Sequence, residues 1–334
     1  MRLQLQYKPY QRRFRHPIRM GSNMQIHRKG IIVRLQSSDG SSGFGEVAPI
    51  ESFGSESFEK AIRTLKSYHG VIHSEALLQF TKELPCLRYA LKNAFNEIVQ
   101  ATVESKETSV DVVESAQLLS PAALLEMLGS GSVLPLSKVV KMKVVDPNLE
   151  MNEEIRMVIR AAEICQQHDL RLRLDANEQL SFSAALKWIG MLENYRDVIE
   201  FFEQPLPRIY IQEMLELAAK SMIPLAFDES IPLLEQQGLT ENDMLGFFCI
   251  LKPSLGDFAC LDRIRIPMTR VVISSAFESA IGFSQLLDLA PFNCIPGLGT
   301  QSFFDDDLSY PHSGISTRFC SNQIRSETIW TRIK

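Results

Sequence analysis

No apolar run in this 334-residue chain approaches the ~18 residues that a membrane-spanning helix needs. Basic charge is not in excess either. Lys and Arg number 35 against 40 Asp and Glu, and the resulting net charge of −5 argues against a nucleic-acid surface. The six cysteines (Cys86, Cys165, Cys249, Cys260, Cys294 and Cys320) include no Cys-x-x-Cys pair, so they read as reduced, mostly buried thiols. Met1-Arg2-Leu3-Gln4-Leu5-Gln6 lacks the apolar stretch of a signal peptide, and a cytoplasmic location is expected. Low-complexity segments and obvious linkers are also missing. What remains is ordinary globular composition, 45% hydrophobic and 22% charged, with length for one large domain and a smaller one.

Residues 1 to about 50 alternate apolar and polar side chains. Leu3, Leu5 and Tyr7 mark one strand, Ile31-Ile32-Val33 and Leu35 a second. Asp39-Gly40 is a turn signal, and Gly43-Phe44-Gly45 begins the return of an antiparallel meander. From about 57 to 104 the period becomes helical, with Leu91, Ala94, Ile98 and Ala101 on one face. From Val110 onward strands and helices alternate. Strands are expected at 139–145, 170–174, 199–202, 224–227, 247–251 and 271–274, and a last one leads to Pro296-Gly297-Leu298-Gly299. Asp146-Pro147 reads as the capped start of the helix that buries Ile155, Val158, Ile159 and Ala162. Seven strand–helix units and a final strand favour a parallel sheet closed into a barrel.

Five residues end strands of this series: Lys143, Asp175, Glu203, Asp228 and Lys252. They are 32, 28, 25 and 24 residues apart, about one βα repeat each. In a barrel, the C-terminal ends of all strands open on one face, which holds the active site. Three carboxylates are thereby placed between two amines. A hard divalent cation such as Mg²⁺ takes oxygen ligands of this kind and leaves positions for a substrate carboxylate. Glu203 follows the very apolar Phe201-Phe202, where an unpaired charge would be costly. Asn177, Gln204 and Glu229 stand beside the three carboxylates as polar supports. The competing reading is that acidic residues at strand ends cap the next helix.

Lysine is seldom buried without a partner. A nearby cation or second lysine lowers an amine's pKa, which would make Lys143 or Lys252 a base near neutral pH. Lys141 lies two residues from Lys143, on the same face, where it can depress the pKa of Lys143 or bind an anionic substrate. Ser274 and Ser275 follow the seventh strand and offer hydroxyls to substrate, though serine at a helix start is also an ordinary cap. Gly297 and Gly299 offer backbone N–H groups to an anion. His16, His27, His69, His73, His168 and His312 show no ligand spacing. Arg12, Arg13, Arg15 and Arg19 read as a basic, solvated N-terminal loop.

These residues stand in motifs that resemble the enolase superfamily, in its muconate-lactonizing subgroup, and most closely its o-succinylbenzoate synthases. Gly43-Phe44-Gly45-Glu46-Val47-Ala48-Pro49 and Phe53-Gly54-Ser55-Glu56-Ser57 are similar to the capping-domain signature. Lys141-Met142-Lys143, Leu172-Arg173-Leu174-Asp175-Ala176-Asn177, Phe202-Glu203-Gln204-Pro205, Phe227-Asp228-Glu229-Ser230, Leu251-Lys252-Pro253 and Ile273-Ser274-Ser275-Ala276-Phe277-Glu278-Ser279 are similar to the barrel motifs. The resemblance implies a modified (β/α)7β TIM-type barrel over residues 105–300. An α+β capping domain is implied over 1–104, to which residues 301–334 return. It implies Mg²⁺, with Mn²⁺ as a substitute, on Asp175, Glu203 and Asp228, and a small-molecule carboxylate as substrate. Lys143 would remove a proton next to that carboxylate, and Lys252 would face it from the other side. Dipeptide epimerases carry Asp-x-Asp at the last strand, where this chain has Gly297-Leu298-Gly299. N-succinylamino acid racemases share the metal ligands and both lysines.

Overall fold

The computed structural model describes residues 1–20, 23–75, 83–102, 112–129, 135–256, 266–289, 294–312, 317–321 and 324–333. Val110 and Cys260 lie outside the described residues. The chain opens with β1 (Arg2–Met20), β2 (Asn23–Gln36) and β3 (Ser42–Val47), then α1 (Phe58–Ser67), β4 (Val71–His73) and α2 (Pro85–Thr102). The four strands form an antiparallel sheet in the order β3-β2-β1-β4. Gly40, at φ 90°, turns β2 into β3 as its N–H bonds to Ser37 O at 3.1 Å. Leu3, Leu5, Ile31, Val33, Leu35 and Val47 pack with Leu87, Leu91, Ala94 and Ile98 of α2. The approach is close: a Cβ at Gly43 or Gly45 would lie 1.9 Å from Ala94 O or Ala90 O. Only glycine lets β3 lie on the helix backbone this way.

The basic stretch expected as a solvated loop is part of β1. Burial alternates through Tyr10, Arg12 and Phe14, the period of a strand covered on one face. Arg12 is 1% exposed, its charge met by Asp306 (Nε–Oδ2 2.9 Å) and its guanidinium 3.6 Å from the Phe304 ring centroid.

Next come β5 (Val112–Glu114), β6 (Gln117–Leu118), α3 (Pro121–Gly129), β7 (Val139–Lys143), α4 (Met151–Gln167), β8 (Arg171–Asp175), α5 (Phe182–Leu192), β9 (Ile199–Glu203) and α6 (Ile211–Ala219). They are followed by β10 (Leu225–Phe227), α7 (Ile231–Leu234), α8 (Glu241–Met244), β11 (Phe247–Leu251), β12 (Val271–Ile273), α9 (Ala280–Leu287), β13 (Arg318–Cys320) and α10 (Ser326–Arg332). Strands β6 to β12 form one parallel sheet in sequence order. The segment at Pro296–Leu298 closes it. Gly297 N donates to Ile273 O at 2.7 Å on one side, and Pro296 O accepts from Ala116 N at 2.9 Å on the other. The expected parallel barrel is therefore the fold among the described residues, which leave out 257–265 between β11 and β12.

Phe201, Ala226, Ile250, Val272 and Cys294 make a small cluster of their own. Their strand neighbours Phe202, Phe227, Leu251 and Ile273 pack instead in the large cluster with residues of α4, α5, α6 and α9. Two faces of one curled sheet are thereby told apart. The helix after β7 starts at Met151 rather than at Asp146-Pro147. Val145 has φ 69°, and Asp146 Oδ1 accepts from Asn148 N at 2.9 Å in a turn of its own. The C-terminal segment touches the first sheet: Lys8 Nζ donates to Trp330 O at 3.1 Å and Ile333 O at 2.7 Å. It also returns to the barrel side, where β13 pairs with β5. No helix among the described residues is long and apolar enough to cross a membrane. The described cysteines are free thiols, four of them buried.

Candidate active site

The strand period builds the site. Side chains two residues apart share a face. One step beyond Lys141, Arg173, Phe201, Ala226, Ile250 and Val272 stand Lys143, Asp175, Glu203, Asp228, Lys252 and Ser274, at or just past the C-terminal strand ends. Lys143 pairs in register with Asp175, and Asp175 with Glu203. In the closed sheet β7 is the second strand and β11 the sixth of eight, so Lys143 and Lys252 come from opposite walls. Lys143 is exposed, whereas Asp175, Glu203, Asp228 and Lys252 are buried.

The carboxylates are turned onto ammonium groups. Lys141 Nζ lies 2.7 Å from both oxygens of Glu203 and 2.9 Å from Asp175 Oδ2. Lys252 Nζ donates to Asp228 Oδ1. Lys141, expected to tune Lys143 or to bind substrate, thus bridges two of the three acids. Among the described residues no three His, Cys, Asp or Glu side chains form a ready-made ligand set.

One ammonium does not satisfy two buried carboxylates. Burial and the charge of Asp175 push Glu203 up to about 8, against the pull of Lys141. Burial also works against ionised Asp175, but Lys141, Lys143 and the Asn177 N–H (3.1 Å from Oδ1) hold its carboxyl below the usual range. Burial opposes the charge on Lys252, yet Asp228, Glu229 and Glu203 outweigh it and raise its pKa. The same competition, with Asp175, Glu203 and Asp228 winning, raises Lys141. The acids around Lys141 and Lys252 thus favour the charged forms of both amines.

Polar residues behind the strand ends fix these positions. Gln204 Oε1 accepts from Asp228 N (3.0 Å) and Ser230 N (3.2 Å), and its Nε2 donates to Ser230 Oγ (2.8 Å). Asn177 Nδ2 reaches Glu229 Oε1 at 3.5 Å. Among the described residues, five of the seven non-glycine residues with positive φ follow barrel strands here: Val145, Asn177, Glu178, Gln204 and Phe277. Backbone strain is thus concentrated at the barrel mouth.

Two expected substrate contacts are committed elsewhere. Ser275 is 4% exposed and donates to Glu278 Oε2, with Thr300 Oγ1 at 2.6 Å. The N–H of Gly297 serves barrel closure. Ser274, half-buried, lies against Gly297 (Oγ to O, 3.4 Å), and Gly299 follows in the same segment.

Residues 3–98 match the MenC N-terminal domain family and residues 126–237 the enolase C-terminal domain-like family. The o-succinylbenzoate synthase of Aliivibrio salmonicida is 30% identical over 319 residues, 91% of each chain. The chain belongs to the o-succinylbenzoate synthase family of the enolase superfamily. The relative from Thermosynechococcus vestitus is 26% identical over 289 residues, covering 85% of this chain and 87% of that one. A crystal structure of o-succinylbenzoate synthase from Thermosynechococcus elongatus, with Mg in its active site, is 25% identical with a TM-score of 0.79. It covers 98% of this chain and 99% of that chain.

Enolase-superfamily members bind a divalent metal, and the donors present in this family member fit one. Asp175, Glu203 and Asp228 supply hard oxygens from adjacent strands, and Glu203 is left short of positive charge. Beside them the buried Glu229 Oε2 has no hydrogen-bond partner. Two further residues of this o-succinylbenzoate synthase-like site stood in the sequence motifs without a role of their own. Phe53 covers Lys252, its ring centroid 4.5 Å from Nζ. Glu278 is fully buried and ties Ser254, two residues past Lys252, to Ser275. The Phe-Gly-Ser-Glu-Ser motif marked the first without giving it a place. Nothing local to Glu278 signals that Ser254 will meet it.

Proposed function

We propose that the chain is an o-succinylbenzoate synthase, carrying out the syn dehydration of 2-succinyl-6-hydroxy-2,4-cyclohexadiene-1-carboxylate in menaquinone biosynthesis. The observation that carries this is the placement of amines on opposite walls, Lys141 and Lys143 on β7 and Lys252 after β11, with three carboxylates on the strands between. Asp175, Glu203 and Asp228 would hold Mg²⁺, which would supply positive charge for the substrate carboxylate and for the charge developing on it. Lys143, the exposed amine, removes the proton next to that carboxylate. As an ammonium it then gives a proton to the departing hydroxide on the same face, so water leaves and the ring becomes aromatic. Lys252 holds the negative intermediate from the other face by charge. Lys141 steadies Asp175 and Glu203. Asn177, Gln204 and Glu229 keep the carboxylates in place.

Residues 1–104 and 301–334 form the cap in this reading, and 105–300 the barrel. Ser274 and Gly299 remain to contact the succinyl arm. Gly297-Leu298-Gly299 offers no carboxylate to a dipeptide's ammonium, which would lose a partner at a cost of about 1–3 kcal/mol. Succinylamino acids lack that ammonium, so slow racemisation of them is compatible with the same residues. The test is kcat/KM for the cyclohexadiene carboxylate, a succinylamino acid and a dipeptide on one Mg²⁺-loaded preparation. The cyclohexadiene carboxylate is expected to be converted best and the dipeptide negligibly. A preference for the dipeptide overturns the substrate assignment.

A further inference from the structure

The short turn Glu51–Phe53, which links the first sheet to α1, reaches into the barrel mouth. Its ring, Phe53, covers Lys252, and the guanidinium of Arg208 lies 5.8 Å from the same ring centroid. Two arginines hold the backbone of this loop. Arg28, in β2, donates to Ala48 O and, at 2.6 Å, to Pro49 O; its Nε reaches Ala276 O, after β12, at 3.2 Å. Arg208, between β9 and α6, donates from Nη1 to Ser52 O. Its Nε, 2.9 Å from Glu178 Oε1, and its Nη2 grip both oxygens of Glu178 after β8.

Arg208 is itself fixed. Its N–H donates to Glu178 Oε1 at 2.7 Å, and its carbonyl accepts from Ser230 Oγ at 3.1 Å. Ser230 is held in turn by Gln204, which also accepts from the Asp228 N–H. Unbroken hydrogen bonds therefore run from the loop that carries Asp228, through Arg208, to the main chain beside Phe53. An exposed ion pair would contribute little. Here the side chains of Arg208 and Glu178 are 24% and 18% exposed, and the contact is forked. A guanidinium can hold a carboxylate on one edge while another nitrogen reaches a carbonyl; a lysine ammonium has no such planar fork.

We propose that Arg208 is a positioning residue: it fastens the 48–54 loop to the barrel mouth and so keeps Phe53 over Lys252. The inference rests on the reading of Lys252 as an amine of the active site. The Arg208 side chain bonds Ser52 O and Glu178, so its effect passes through the loop.

The experiment compares wild type, Arg208→Gln and Arg208→Lys by hydrogen exchange and by steady-state kinetics. Peptides covering 48–56 are expected to exchange about tenfold faster in both variants, with α6 unchanged as the internal reference. KM for the cyclohexadiene carboxylate should rise about tenfold while kcat changes less than about threefold, the signature of lost substrate enclosure rather than lost chemistry. If Arg208→Gln melts before assay, Arg208→Lys carries the same comparison. Unchanged exchange at 48–56 overturns the clamp. Faster exchange with unchanged KM overturns the positioning role. If wild type converts no cyclohexadiene carboxylate, the functional reading fails separately, and the exchange measurement still decides whether Arg208 fastens the loop.

Discussion

Glu46, on β3 of the first sheet, accepts hydrogen bonds from both the backbone N–H and the hydroxyl of Ser279, the N-cap of α9 in the barrel. The carboxylate also accepts from Gly282 N at 3.0 Å and from the Tyr10 hydroxyl. An anion at a helix N-terminus meets both the unpaired N–H groups and the positive end of the dipole. Glu46→Ala would leave these donors buried and unsatisfied. We predict a loss of about 2–4 kcal/mol of stability, with Glu46→Gln intermediate. Denaturant unfolding of the three proteins checks this. Equal stability of Glu46→Ala and wild type would mean that the junction is held elsewhere.

The three carboxylates lead to a second prediction. Asp228→Asn and Glu203→Gln preserve shape and keep the strand ends packed, but each removes a negative oxygen proposed as a metal ligand. Turnover is expected to fall by a factor of about 10³ or more, while circular dichroism stays native. Chelation should inactivate the wild type, and added Mg²⁺ or Mn²⁺ should restore it. Full turnover in chelated enzyme would contradict the metal role.

Glu97, on α2, gives a pH prediction. Its carboxylate accepts from Phe44 N at 2.8 Å, and burial pushes its pKa up to about 7. The folded protein therefore binds this proton more tightly than the unfolded chain. The group's stabilising contribution is full below the ordinary carboxyl value and is lost as pH rises through 7. Glu97→Gln keeps an acceptor for Phe44 and carries no charge. It should gain up to about 3 kcal/mol over wild type at pH 8, and the gain should vanish near pH 4.5. Unfolding at both pH values is the check, and a gain that does not vary with pH would be the wrong result.

The residues legible in the sequence are those whose position depends on strand period alone. Lys143, Asp175, Glu203, Asp228 and Lys252 each end an apolar run, and parity along a strand decides which way they face. Residues that depend on remote partners were not legible. Arg12 reads as a surface charge until Asp306, 294 residues later, is beside it. Ser275 and Gly297 have the right chemistry for substrate, but Glu278 and Ile273 claim their donors. Asp146-Pro147 looks like a helix start, yet the left-handed Val145 delays the helix to Met151. Local pattern specified the elements and their ends; hydrogen bonds across the fold decided which polar groups remain for chemistry.

Opposed amines make the last prediction. Lys143 ends the second barrel strand and Lys252 follows the sixth, so a flat substrate between them meets one on each face. In the proposed dehydration only Lys143 transfers protons while Lys252 supplies charge throughout, so Lys143→Ala and Lys252→Ala should each abolish it. Proton exchange separates the two roles. With a succinylamino acid in D₂O, wild type should exchange the α-proton of both enantiomers. Arginine retains positive charge but is not a base at neutral pH. Lys143→Arg should therefore block exchange of one enantiomer preferentially, and Lys252→Arg the other. NMR of the α-proton signal against time gives both rates on one sample. If each variant loses exchange of both enantiomers equally, the two amines do not work on opposite faces.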